Sequence, residues 1–176
     1  MTDGLLTESS GNVRIVAATP AMLDAEDKDA AALARLLHVP APPGWPPQFN
    51  GPKTRAWMRR LLTDHPEETG YGSWYIIADG RLVGICGFKG PPGDAGCVEI
   101  GYSVLETEQR KGFASAAVAL LVARAFRDAR VKSVSAETLP SLVASQRVLE
   151  RCGFSIASTR TDPQLGEILR FLRRPD

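Results

Sequence analysis

Val98-Glu99-Ile100-Gly101-Tyr102-Ser103-Val104, followed by Gln109-Arg110-Lys111-Gly112-Phe113-Ala114, is the stretch that decides how this chain is read. The first run alternates as a strand does. The second joins it to an alanine-rich helix predicted from Gly112 to about Arg130. Such a turn leaves several backbone N–H groups without intrahelical partners at the positive end of the helix dipole. That is a seat for a diphosphate, and Gly112 lets an anion approach without meeting a side chain. Plain strand-to-helix connections also use one glycine, so the turn needs its surroundings to be interpreted.

Working outward, Ser133–Thr138 reads as the next strand and Leu142–Arg151 as a short helix, with Ser141 as its N-cap and Gly153 as its stop. Residues 154–158 and 167–173 read as two last strands around Asp162-Pro163. Upstream, Ser73–Ala78 and Arg81–Phe88 flank Asp79-Gly80, a two-residue hairpin signal. Residues 12–16 read as a first strand. Thr19-Pro20 opens a helix that stops before Pro40, and a second helix spans about Thr54 to Leu62. Between them, Pro40–Phe49 is too proline-rich for regular structure. The order β-α-α-β-β-β-α-β-α-β-β predicts one α/β domain over residues 1–176.

The bulk properties narrow the function classes. With 21 basic and 20 acidic side chains the net charge is +1, which argues against sequence-independent nucleic-acid binding. Cys86, Cys97 and Cys152 form neither a disulfide framework nor a metal-ligand spacing, so no metal is expected. The N-terminus lacks the pattern of a signal peptide, and no apolar run reaches membrane-spanning length. A cytoplasmic protein without membrane contact is the expectation.

Gln109-x-x-Gly112-x-Ala114 resembles the Q/R-x-x-G-x-G/A signature of the GNAT superfamily, the acetyl-CoA-dependent N-acetyltransferases. The strand at 98–102 and the run Ser145–Phe154 resemble the blocks that flank that signature. The branch most similar is that of ribosomal-protein N-terminal acetyltransferases. The resemblance implies a GNAT fold, whose two central strands, here 98–104 and 133–138, splay apart to admit the pantetheine arm. It implies acetyl-CoA as cosubstrate, and acetyl transfer by direct attack of a primary amine, either a protein N-terminus or a small molecule. It assigns Gln109, Arg110, Lys111, Gly112, Phe113, Ala114 and Ser115 to the pyrophosphate turn, and the backbone of Val104 to the pantetheine amides. Arg110 and Lys111 also fit a solvated surface pair.

Direct attack requires a neutral amine and a proton for the departing thiolate. At pH 7 roughly one α-amine in seven is neutral, against roughly one lysine in 2500, a difference of about 3.5 kcal/mol. Modest base machinery therefore suits an N-terminus or a low-pKa small-molecule amine. By position, Glu137 matches the base proposed in ribosomal-protein alanine acetyltransferases, and Glu99 matches a base that works through water. Either carboxylate also fits an arginine partner or a tie to loop amides. Ser145 matches the serine proposed as the acid in that branch, and also fits a helix serine bonded to its preceding turn. Leu142 stands where the family usually has Asn, whose amide contacts the cofactor. Trp45 and Phe49 lie where GNATs form a wall of the acceptor site, while Trp45 fits a core plug equally well.

Two rivals remain open. A non-catalytic acyl-CoA sensor would explain Leu142 and the absence of a tyrosine after Phe154. A nucleotide-phosphate enzyme lacks its customary glycine motifs here. A monomer and a homodimer are both compatible with the sequence.

Overall fold

The computed structural model describes residues 4–176. Eight strands form one mixed sheet: β1 (Thr7–Ser10), β2 (Val13–Ala17), β3 (Ser73–Ala78), β4 (Arg81–Phe88), β5 (Cys97–Val104), β6 (Ser133–Thr138), β7 (Ser155–Asp162) and β8 (Gly166–Arg173). Their spatial order is β1-β2-β3-β4-β5-β6-β8-β7, and every neighbouring pair is antiparallel except β5 and β6. Five helices cover it: α1 (Pro20–Lys28), α2 (Ala30–Leu37), α3 (Pro52–Asp64), α4 (Phe113–Phe126) and α5 (Val143–Arg151).

Strand alternation divides the core into two layers. On β3, Trp74, Ile76 and Ala78 face one layer with Val118 and Leu121 of α4 and Leu149 of α5. Tyr75 and Ile77 face the other, with Met22, Leu23, Leu33, Leu37, Met58 and Leu62 of α1–α3. The mixed α/β architecture agrees with the sequence reading, and so does the tight hairpin, where Asp79 and Gly80 both adopt positive φ (51° and 73°).

Several boundaries differ from the expectation. The strand β1 escaped it because Thr-Glu-Ser-Ser carries no apolar alternation; pairing with β2 and the ion pairs of Glu8 with Arg124 and Arg127 hold it. The single helix expected between Thr19-Pro20 and Pro40 is two. Asp29 breaks it with an extended backbone and caps α2 by accepting from the Ala32 N–H at 2.6 Å. In α3 the buried side is Met58 and Leu62, while Trp57 is 42% exposed. Helix α4 ends at Phe126, four residues short of Arg130. Ser141 does not cap α5. The residue before the helix is Leu142, which supplies no capping bond, and the Gln146 amide ties the entry loop instead, donating to the carbonyls of Leu139 (3.2 Å) and Pro140 (2.8 Å). Gly153 ends α5 as expected, with φ 81° and the Phe154 N–H returning to the Leu149 carbonyl at 3.0 Å.

Candidate active site

The parallel pairing of β5 and β6 runs from Cys97↔Ser133 to Ile100↔Ala136 and stops. Beyond it β5 continues along β4 to Val104, while β6 continues along β8 to Thr138. The two strands therefore part, and the sheet opens between them. The Glu99 carbonyl of β5 accepts from the Lys89 N–H just past β4, and the Leu105 N–H just past β5 donates to the Val83 carbonyl of β4. Alternation then turns the main-chain groups of Tyr102 and Val104 toward the opening. The Val104 carbonyl is taken by the Gln109 side-chain amide at 3.2 Å, which ties the turn to the strand and leaves the Val104 N–H facing the gap.

Past β5 the chain makes a short 3₁₀ turn at Glu106–Glu108 and enters α4 through Gly112. Arg110 and Gly112 both take positive φ (64° and 82°). No side chain among the described residues caps the helix, and its first main-chain bond is from Ala116 N–H to the Gly112 carbonyl at 3.1 Å. The amides of Phe113, Ala114 and Ser115 thus point outward at the helix's positive end. Open space surrounds the position a Gly112 Cβ would occupy. Within the turn the roles divide. Lys111 is paired with Glu108 at 2.8 Å, and Glu108 also takes Arg81 at 3.2 Å. Arg110 makes no ion pair among the described residues and stays exposed, while the Phe113 ring is buried and anchors the helix start.

The opening has two different sides. On the α4 side, Tyr102 Oη lies 2.9 Å from both the hydroxyl and the main-chain carbonyl of Ser145, linking β5 to α5. Burial pushes the Tyr102 hydroxyl up to about 12. Thr138, one β-repeat beyond the last paired residue of β6, points to the same side; its Oγ1 is buried without a partner among the described residues. An orphan hydroxyl, an uncapped helix end and two parted strands together fit a ligand with an amide-bearing arm and a phosphate end.

On the opposite side stand the carboxylates. Arg160 of β7 grips Glu137 with two of its guanidinium nitrogens (3.1 and 2.8 Å), and this pairing holds the Glu137 carboxyl below its ordinary range. Glu99 is paired with Lys89. Glu137 therefore rests as the anion of an ion pair, opposite in direction to the raised pKa that efficient proton abstraction requires.

Trp45 and Phe49 are not equivalent. Trp45 turns inward, packs near Tyr75, and donates its indole N–H to the buried carboxylate of Glu26 at 2.9 Å. Glu26 also accepts from Asn50 and from the Tyr75 hydroxyl (2.7 Å), so it fixes both flanks of the proline-rich loop. Phe49, between those flanks, is 76% exposed with φ 67°. Of the two aromatic residues, only Phe49 presents a face to an incoming molecule.

Sequence reasoning did not single out Tyr102, Thr138, Gln146 or Arg160. Alternation placed Tyr102 with Val98 and Ile100, but nothing in the sequence ties it to a serine 43 positions later. Gln146, immediately after Ser145 and within reach of a proline-ended loop, carried a legible capping signal.

A family model described as acetyltransferase (GNAT) domain matches residues 22–155, and the chain belongs to that family. Among its relatives is the uncharacterized N-acetyltransferase YjdG of Bacillus subtilis, 30% identical over 100 residues. That match spans 56% of this chain and 60% of that relative's length. The fold is shared with RimL, the ribosomal L7/L12 alpha-N-protein acetyltransferase, in complex with coenzyme A: TM-score 0.71, 18% identity, 95% of this chain and 96% of that one. It is shared also with the microcin C7 self-immunity acetyltransferase MccE in complex with acetyl-CoA and AMP: TM-score 0.69, 13% identity, 94% of each chain.

Proposed function

We propose that the protein transfers an acetyl group from acetyl-CoA to a primary amine whose pKa leaves an appreciable neutral fraction, a protein or peptide N-terminus or a low-pKa small-molecule amine. The observation that carries this reading is the parting of β5 and β6 after Ile100 and Ala136, beside the uncapped start of α4. The amides from Phe113 to Ser115, with Arg110 beside them, would hold the diphosphate. The main-chain groups of Tyr102 and Val104 would hold the pantetheine arm. Bound there, acetyl-CoA supplies the activated acyl group as a thioester. Ser145 stands on the thiol side as the proton donor, and Phe49 forms a wall on the acceptor side.

The restriction on the amine follows from the carboxylates. With Glu137 held by Arg160 and Glu99 by Lys89, neither is free to take a proton from a fully charged lysine. The roughly 3.5 kcal/mol that an α-amine saves over a lysine becomes decisive in such a site. The name of RimL, an alpha-N-protein acetyltransferase, supports the same class of acceptor.

A thiol-release assay with acetyl-CoA tests the reading. Turnover is expected on N-terminal peptides or weakly basic small amines and not on side-chain lysines of N-terminally blocked peptides. Leu142 in place of the family's Asn and the two paired carboxylates favour a second reading, a non-catalytic acyl-CoA sensor. Calorimetric binding of acetyl-CoA with no turnover across the amine panel selects it.

A further inference from the structure

The Tyr102 hydroxyl has no task in the scheme above, yet it is built into the opening from both sides. Its ring belongs to β5, and its oxygen reaches α5 at 2.9 Å from Ser145 Oγ and 2.9 Å from the Ser145 carbonyl. A phenol has one proton, so it cannot donate to both. Two arrangements are therefore available. In the first, Tyr102 donates to the carbonyl and the Ser145 hydroxyl donates to Tyr102, which commits the serine proton. In the second, Tyr102 donates to Ser145 Oγ, and the serine proton is released to face the gap. Helix serines ordinarily return their hydroxyl to the preceding turn, a habit that would remove Ser145 from chemistry. Contact with Tyr102 keeps it in play.

We propose that Tyr102 is a positioning residue for proton delivery, holding and reloading the Ser145 hydroxyl toward the sulfur that leaves in acetyl transfer. The proposal rests on that reading of the site. As the C–S bond breaks, its electron pair stays on sulfur. Ser145 Oγ–H breaks and its proton goes to the sulfur, while the Tyr102 proton moves to Ser145 Oγ. Solvent returns to Tyr102 the proton that the attacking amine loses, so the net transfer is from nitrogen to sulfur. The buried phenol, held up to about 12, keeps its proton at neutral pH and is ready to donate.

The test uses Tyr102→Phe, Ser145→Ala and the double variant. Phenylalanine keeps the ring and removes only the hydroxyl. The first readout needs no acceptor: the thiol of bound coenzyme A is titrated by the ultraviolet absorbance of its thiolate. Donation to sulfur stabilises the thiolate, so its pKa is expected about one unit higher in each single variant than in the wild type, and no higher in the double variant than in Ser145→Ala. The second readout is turnover, where Tyr102→Phe is expected to lower kcat about 10- to 100-fold with KM and coenzyme affinity within about twofold. The double variant is expected to match Ser145→Ala. An unchanged thiol pKa, or losses that multiply in the double variant, would reduce Tyr102 to a clamp between β5 and α5 and overturn the proposal. A wild type that shows the thiol shift but transfers to no amine would sink the acetyl-transfer reading and leave the hydroxyl pair's contact with sulfur standing. Transfer that survives Tyr102→Phe undiminished would sink the proposal alone.

Discussion

Gly112→Ala separates the stability of the α4 entrance from its capacity to hold an anion. Gly112 sits at φ 82°, ψ 2°, where an L-residue costs about 1–2 kcal/mol. A chain of this size loses about 2–4 °C of Tm per kcal/mol, so the variant should melt about 2–8 °C lower. The new methyl meets nothing within 4 Å, so no steric cost adds to this in the free protein. With a diphosphate present the methyl stands beside the amides of Phe113, Ala114 and Ser115. Charge-assisted bonds to such amides contribute about 1.5–3 kcal/mol each, and lengthening a single one costs about tenfold or more in affinity. Calorimetry with coenzyme A, at a temperature where both proteins are folded, should show the Kd rise at least about tenfold. Gly11→Ala is the matched control. It too has positive φ (58°) and open space, but lies in the β1–β2 turn, three strand positions from β5. It should lower Tm similarly and leave the Kd unchanged. If Gly112→Ala melts lower yet binds coenzyme A like the wild type, the anion seat is wrong.

Three further outcomes are expected. Arg160 holds Glu137 below its ordinary 4.5, so the unfolded chain takes up that proton first as pH falls. The pair's contribution, small because Arg160 is half exposed, is present at neutral pH and lost in acid. The Tm gap between wild type and Glu137→Gln should therefore close below about pH 4.5, and a gap that widens there would contradict the pairing. Glu26→Ala strips the acceptor from Trp45, Asn50 and Tyr75 together; a loss of about 3 kcal/mol or more, seen as a Tm drop of about 6–12 °C, is expected by calorimetric melting. Leu142→Asn places an amide at the exposed entrance of α5 and should tighten coenzyme A binding about 2- to 10-fold by calorimetry, with little change in Tm.

Residues 98–154 were the most readable because punctuation and periodicity agree there: alternation in β5, Gly112 at the turn, Gly153 at the stop. The front of the chain was less so. An edge strand of polar residues carries no hydrophobic period, and β1 is held by partners more than a hundred positions away, with Glu8 reaching Arg124. The break at Asp29 was legible in principle, as an acidic cap before three alanines, but the apolar stripe ran through it. For the candidate site, the conformation of the turn into α4 follows from local sequence and could be read. The state of Glu137 could not, because Arg160 reaches it across the β7–β8 hairpin. Trp45 and Phe49 looked alike in one proline-rich loop, and only the buried Glu26 decides which of them turns inward.

The sheet order sets a condition on when the molecule becomes competent. Strand β8, made last, lies between β6 and β7, and is the partner of Glu137 and Thr138 after β6 leaves β5. On the ribosome, the far jaw of the opening has nothing to lean on until β8 has emerged. A nascent chain can complete α4 and the turn before it yet lack the cleft beside them, so coenzyme capture should wait for the emergence of β8.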